Sequence, residues 1–307
     1  MSKKLVVKGQ YLAPVTPFGR DGSLLLDDFA EVVGWHLECG VDGFLIAGDN
    51  GEAWALTPQE LGQVVAMAAE TVKGRAPIFA GTSAITAAET ISLSEIAAEA
   101  GADGLCLTPQ SYLLNATLAE VAARYGAIAK AVPLPIMVYN NPARTGVNVT
   151  PDILAAICDV APVVAVKEAS GDFVHLTKII EAFGNRIGVL AGAGHYIIPA
   201  LELGAAGYLS TAPELFGARA RSLMELDKLS ATEKRDLHFR ITRIFEVLMW
   251  TGTRPAAYKA AINMIGLPGG YTREPIEPLS PAEEETVRGV LDKCGVFEEA
   301  EVRRRAS

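Results

Sequence analysis

Val163-Val164-Ala165-Val166-Lys167 is an apolar run that ends on a lysine, and 28 residues earlier Leu134-Pro135-Ile136-Met137-Val138-Tyr139 ends in the same way on a tyrosine. Neither run alternates apolar and polar positions, which is the pattern of a strand buried on both faces in a parallel sheet covered by helices. Similar runs lie at 11–16, 43–47, 77–81, 104–108, 187–191 and 207–211, making eight in all. Segments with helical spacing fall between most of them, at 26–38, 58–72, 87–100, 118–131, 151–159 and 176–183. Alternation with short connections requires parallel strands and right-handed crossovers, and eight such units close into a (β/α)8 TIM barrel. The rival is an open doubly wound sheet, but the first turn lacks the glycine fingerprint and following acid of the dinucleotide-binding version. The expected organisation is one domain, with a barrel over 8–225, additional C-terminal helices over 226–300 and a tail over 301–307.

An internal echo supports a periodic build. Gly40-Val41-Asp42-Gly43, Gly101-Ala102-Asp103-Gly104 and Gly204-Ala205-Ala206-Gly207 each set one glycine at a helix end and another at a strand start. The first glycine suits a left-handed helix cap. The motif reads as structural punctuation rather than as a site.

Composition narrows the class of partner. Half of the 307 residues are hydrophobic, 21% are charged and the net charge is −9, so the chain can build a large core and presents no basic stripe to a nucleic acid or an anionic membrane. Cys39, Cys106, Cys158 and Cys294 form no CxxC pair, and His36, His175, His195 and His238 lack metal-ligand spacing, so no metal site is expected. Residues 1–10 are too short in apolar character for a secretory signal, and no apolar run reaches membrane-spanning length. The expectation is a cytoplasmic protein without a membrane partner. Arg303-Arg304-Arg305 reads as a solvated tail.

The chemistry is carried by strand ends, since barrel enzymes gather their catalytic groups at the C-terminal face. Alternation sets Lys167 on the side of Ala165 and Tyr139 on the side of Met137, so both point into the lumen from neighbouring strand tips. Alone, each would read as a snorkelling lysine or a core tyrosine. Together at matched ends they read as an amine nucleophile facing a phenol. At an unperturbed pKa of about 10.4, only roughly one lysine in 10³ to 10⁴ is neutral at pH 7, and burial raises that fraction. The loop Gly48-Asp49-Asn50-Gly51-Glu52 can turn backbone N–H groups into the same mouth to hold a carboxylate, and Arg144 offers a planar fork matched to another. The loop 191–195 with Ser210 and Thr211 lies where many barrels bind phosphate, but the first arginine that follows in sequence is Arg219.

These motifs resemble the dihydrodipicolinate synthase / N-acetylneuraminate lyase family almost end to end. Ala13-Pro14-Val15-Thr16-Pro17-Phe18 is similar to its first-strand motif, and Gly48 to Glu52 stands where the family has Gly-Thr-Thr-Gly-Glu or Gly-Ser-Thr-Gly-Glu. Tyr139 to Gly146 and Val166 to Asp172 resemble its tyrosine and Schiff-base lysine motifs, and Lys259 to Gly270 its C-terminal helical signature. The resemblance implies a class I, metal-independent lyase that needs no cofactor. In it Lys167 forms an imine with pyruvate or another 2-oxo acid and Tyr139 relays protons. Asp49, Asn50, Gly51, Thr16, Leu209 and Arg144 contact substrate, Arg144 through the carboxylate of aspartate semialdehyde in dihydrodipicolinate synthases. It also implies a homotetramer, a dimer of dimers, in which an aromatic such as Tyr112 completes a neighbour's site.

The chain departs from the pattern where substrate is chosen. Asp49 and Asn50 replace the two hydroxyl residues of the carboxylate loop, and Ala193 and Gly194 replace a pair of acids after strand seven. The Asn50 amide is expected to donate in place of a hydroxyl, and Asp49 to recognise a hydroxyl or amine of a different substrate, such as a sugar-acid-derived 2-oxo acid. The leading reading is an aldolase or dehydratase acting on 2-oxo acids. A true 4-hydroxy-tetrahydrodipicolinate synthase is the alternative, and a silent metabolite-binding regulator is a third, opposed by the retained Lys167 and Tyr139.

Overall fold

Eight parallel strands close in sequence order, each hydrogen-bonded to the next and the eighth to the first. They are β1 (Gly9–Leu12), β2 (Gly43–Ile46), β3 (Ile78–Gly81), β4 (Gly104–Leu107), β5 (Ile136–Asn140), β6 (Val163–Glu168), β7 (Gly188–Ala191) and β8 (Gly207–Leu209). The computed structural model describes residues 5–113 and 115–298. The crossover helices are α1 (Leu26–Glu38), α2 (Pro58–Val72), α3 (Ala87–Glu99), α4 (Leu118–Ala131), a short α5 (Pro142–Thr145), α6 (Pro151–Val160), α7 (Phe173–Phe183) and α8 (Ile197–Glu202). Local chemistry starts these helices cleanly: Thr57 with Glu60 and Thr117 with Glu120 form capping boxes at α2 and α4.

The expected barrel is present, with one clear displacement. The first strand is Gly9–Leu12 rather than 11–16, because Pro14 and Pro17 have no N–H to give a ladder, so Ala13 to Pro17 runs on as loop. The lumen is filled by side chains of alternate positions, among them Tyr11, Leu45, Phe79, Met137, Ala165 and Leu209. Val138 and Val166 face the helices instead. Tyr139 and Lys167 therefore keep the lumen-facing phase of Met137 and Ala165.

The glycine echo has a steric cause beyond capping. Gly40, Gly101 and Gly204 all take positive φ, as helix-ending glycines do. Their partners at the strand starts are pressed against neighbours: a Cβ on Gly104 would sit 2.6 Å from the Phe79 ring, and one on Gly207 only 1.9 Å from the Gly9 carbonyl oxygen. Gly207 pairs with Gly9 where β8 meets β1, so the closure of the barrel rests on two residues without side chains.

After β8, tight helical turns over 213–228 lead into α9 (Ala231–Trp250), α10 (Ala256–Met264) and α11 (Pro281–Lys293). The expected extension from 226 thus begins as a regular helix at Ala231, and the tail 301–307 with its three arginines lies outside the described residues. Helix α9 crosses the loop after β7 so closely that a Cβ on Gly194 would meet Phe245 at 2.7 Å. This brings the C-terminal helices to the end of the barrel where the strands finish. Among the described residues no helix is long and apolar enough to cross a membrane. Gly207→Ala should destabilise the protein by about 2 kcal/mol or more, as overpacking against an immobile backbone does. Urea unfolding monitored by circular dichroism checks this, and an unchanged midpoint would contradict the closure argument.

Candidate active site

Tyr139 and Lys167 are direct partners across β5 and β6. The lysine amine lies 4.1 Å from the centre of the Tyr139 ring and the residue is only 7% exposed. Desolvation pulls the Lys167 amine down to about 8, Asp49 opposes that shift, and the more distant Arg254 and Arg144 add to it. A useful neutral fraction therefore exists near physiological pH. The adjacent Glu168 serves a different purpose: fully buried, it accepts hydrogen bonds from Asn140, Ser170 N–H and Tyr196, and so fixes the backbone just past the lysine.

Asp49 organises the phenol. The Tyr139 hydroxyl donates to Asp49 Oδ2 at 2.9 Å and accepts from Asn141 Nδ2 at 2.9 Å, while Arg144 Nε lies 2.7 Å from the same Asp49 oxygen. Burial, then the Asp49 charge, push the Tyr139 pKa up, so the phenol keeps its proton at neutral pH. Asp49 thereby joins the Tyr139 phenol to the Arg144 guanidinium.

Asn50 is turned inward, contrary to the expectation that its amide would donate to substrate. An arginine has only donors, so the amide oxygen must face it: Arg254 Nη2 reaches Asn50 Oδ1 at 2.9 Å. The amide nitrogen then points to Ala13 O at 3.4 Å and Thr211 Oγ1 at 3.3 Å. Thr16 and Gly51 stand behind the loop rather than on the cavity wall, with Thr16 Oγ1 donating to Gly51 O at 2.8 Å. Glu52 anchors the loop from below in a left-handed conformation, its carboxylate 2.5 Å from the Lys259 amine.

The resulting cavity, about 460 Å³, is lined by Lys167, Tyr139, Asp49, Asn50, Arg144 and Leu209 among others. Arg254, Asn141, Phe245, Met249 and Trp250 line it too and were not expected there. The missed signal was the Arg254-Pro255 step just before the helical signature that begins at Lys259. Arg219, the arginine that the sequence offered near strand eight, bonds the Gly295 carbonyl and lies off the cavity; Arg254 is the cation there. Tyr112 stands apart from the cavity, 85% exposed and at φ 72, a left-handed conformation unusual for a bulky residue. Among the described residues no cluster of three or more His, Cys, Asp or Glu is arranged to hold a metal ion.

The dihydrodipicolinate synthetase family profile matches residues 6–294. The chain belongs to that family. A 4-hydroxy-tetrahydrodipicolinate synthase of Nitratidesulfovibrio vulgaris (strain Miyazaki F) is 35% identical over 295 residues, covering 94% of this chain and 99% of that one. The solved 4-hydroxy-tetrahydrodipicolinate synthase of Methylacidiphilum fumariolicum SolV superposes with a TM-score of 0.87 at 30% identity, covering 96% of this chain and 98% of its own. A structure described as a monomeric dihydrodipicolinate synthase variant matches with a TM-score of 0.88 at 28% identity, covering 94% and 97% of the two chains. The chain is thus a lyase-type enzyme of the dihydrodipicolinate synthetase family.

The electrostatics of Lys167 have a signed consequence. Its amine should lose reactivity roughly tenfold per pH unit below about 8, where the ammonium form takes over. Asp49→Asn removes the charge that favours the ammonium and frees Arg144, so the midpoint should move to lower pH. Reductive methylation with formaldehyde and cyanoborohydride, quantified by peptide mass at Lys167 across pH, reads this directly; a midpoint shifted upward in the variant would contradict it.

Proposed function

We propose that this enzyme forms an imine between Lys167 and the carbonyl of a 2-oxo acid, without metal or cofactor, and cleaves or dehydrates a hydroxylated 2-oxo acid from that adduct. The neutral amine attacks the carbonyl carbon to give a carbinolamine. The Tyr139 phenol passes a proton from nitrogen to oxygen to give the neutral carbinolamine and then protonates the departing hydroxyl, so water leaves, and the cationic imine that forms holds one proton that Tyr139 regains from solvent. The ionised Asp49 then favours the cationic imine for the same reason that it favours the ammonium form of Lys167. Backbone N–H groups at Asp49 and Asn50, the members of the loop 48–51 on the cavity wall, hold the carboxylate next to the carbonyl.

One observation carries the choice of reaction. Asp49 Oδ2 is bonded both to Tyr139 and to Arg144, so the guanidinium that would receive a second substrate's carboxylate is already neutralised. This supports a single hydroxylated substrate, whose hydroxyl Asp49 can accept, over condensation with aspartate semialdehyde. The alternative, a true 4-hydroxy-tetrahydrodipicolinate synthase, is favoured by the activity named for the relatives at 31–35% identity. None of the four cysteines is in a disulfide, which suits a reducing, cytoplasmic compartment, where cell fractionation would find the enzyme.

Borohydride reduction in the presence of a 2-oxo acid should add the mass of the reduced adduct to the Lys167 peptide, and Lys167→Ala should abolish it. A panel of 2-oxo-3-deoxy sugar acids, followed for aldehyde release and for water loss, then identifies the reaction. Absence of any adduct in the parent enzyme would sink the imine mechanism, and turnover confined to pyruvate with aspartate semialdehyde would favour the alternative.

The same reading includes a homotetramer built from dimers, with Tyr112 reaching a neighbour's site. Its exposure and left-handed backbone support this, since an exposed strained aromatic invites a partner surface. Light scattering should give four chains, and Tyr112→Ala should lower kcat/KM at least tenfold. A monomer of full activity, as the monomeric relative makes conceivable, would remove the assembly from the mechanism.

A further inference from the structure

Two guanidinium groups face the cavity, and they differ in what balances them. Arg144 is paired with Asp49. Arg254 reaches the wall from the turn between α9 and α10, and its Nη2 touches only neutral acceptors, Asn50 Oδ1 at 2.9 Å and Thr211 Oγ1 at 3.4 Å. Among the described residues no carboxylate lies within ion-pair distance of it. Glu214, an acid that senses its charge, is buried and accepts from the Ala212 N–H, and desolvation holds its carboxyl up at about 7.

A half-buried guanidinium with no anion in contact is a costly arrangement that an incoming carboxylate would relieve, and its planar fork suits that group. Asn50 acts as a positioning residue: its oxygen holds Arg254 while its nitrogen is tied to Ala13 O and Thr211. The loops after β5 and β8, which carry Arg144 and Thr211, stand three strands apart around the barrel. The cavity therefore has a neutralised cation on one side and a free one on another, with Lys167 facing both. Asp49 repels an acidic group on the Arg144 side, and Arg254 attracts it on its own side, so attraction and repulsion select the same orientation. At about 460 Å³ the cavity also has room for a chain longer than pyruvate.

We propose that Arg254 binds a second, distal carboxylate of the substrate, so that the enzyme's substrate is a 2-oxo acid with an acidic group at each end. This rests on the imine reading of Lys167, in which the first carboxylate is held by the loop 48–51. Arg254 is thus a specificity-determining residue supplied by the C-terminal helices rather than by the barrel.

The test compares matched pairs, 2-oxopentanedioate with 2-oxopentanoate and 2-oxohexanedioate with 2-oxohexanoate, by titration calorimetry, with borohydride trapping run in parallel. The parent enzyme should bind the better dicarboxylate about 30-fold more tightly than its neutral-tailed partner, the scale of one charged hydrogen-bonded contact. Arg254→Gln should bring that ratio close to one, and Arg254→Lys should leave an intermediate ratio. Equal affinities in the parent enzyme, or a preference that persists in Arg254→Gln, would overturn the assignment. If Arg254→Gln fails to fold, the parent ratio and the Arg254→Lys ratio decide the matter. Absence of a trapped adduct, by contrast, would remove the imine chemistry while the calorimetric ratio still reports on Arg254.

Discussion

A buried ion pair between Glu52 and Lys259 ties the front of the barrel to its C-terminal helices. The two side chains are 0% and 2% exposed, and the lysine also donates to the Tyr271 carbonyl at 2.5 Å while Arg273 N–H donates to Glu52. Such pairs add little net stability, because desolvation consumes most of the Coulomb gain, but breaking one leaves a buried charge uncompensated. Their value lies in geometry. Glu52 closes the loop that carries Asp49 and Asn50, and Lys259 lies on α10, which begins just after Arg254. The same contact therefore delivers Arg254 to Asn50 across 204 residues of sequence.

Lys259 and Lys167 show how one physical shift serves two ends. Burial draws both amines down to about 8. Lys259 has a carboxylate in contact, so its charge is held and its amine is structural. Lys167 has Asp49 only as a through-space neighbour, with the face of Tyr139 beside it. A lysine in that setting is a standing cost to the fold, and it is kept neutral enough to react. Asp49 then sets the balance, since its charge favours the ammonium form and, in the proposed mechanism, would steady a cationic imine in the same way.

Much of this architecture was legible in the sequence because it is periodic. Unalternating runs marked the strands to within a residue or two, and the two-residue period along β5 and β6 placed Tyr139 and Lys167 in the lumen. The first strand was misplaced because apolar character was read through Pro14 and Pro17, whose missing N–H groups end the ladder. Thr16 and Gly51 were expected against substrate, but their mutual hydrogen bond turns them toward the loop's interior. Asn50 could not be read locally at all. Its orientation is dictated by Arg254, and no periodicity or spacing connects the two.

The division of labour between barrel and extension follows from these distances. The barrel positions Lys167 and Tyr139 through backbone ladders, which any sequence with the right alternation reproduces. The extension contributes Arg254, Phe245, Met249 and Trp250 through side-chain packing held in place by one buried ion pair, and these four side chains lie outside the backbone ladders of the strands. Imine chemistry common to many 2-oxo acids needs only the first set. Discrimination among those acids needs groups several bonds away from the reacting carbon, and among the described residues the cavity guanidinium with no carboxylate in contact comes from the extension. Substrate choice is therefore free to vary where the fold is least constrained, while the reactive pair stays where the fold is most constrained.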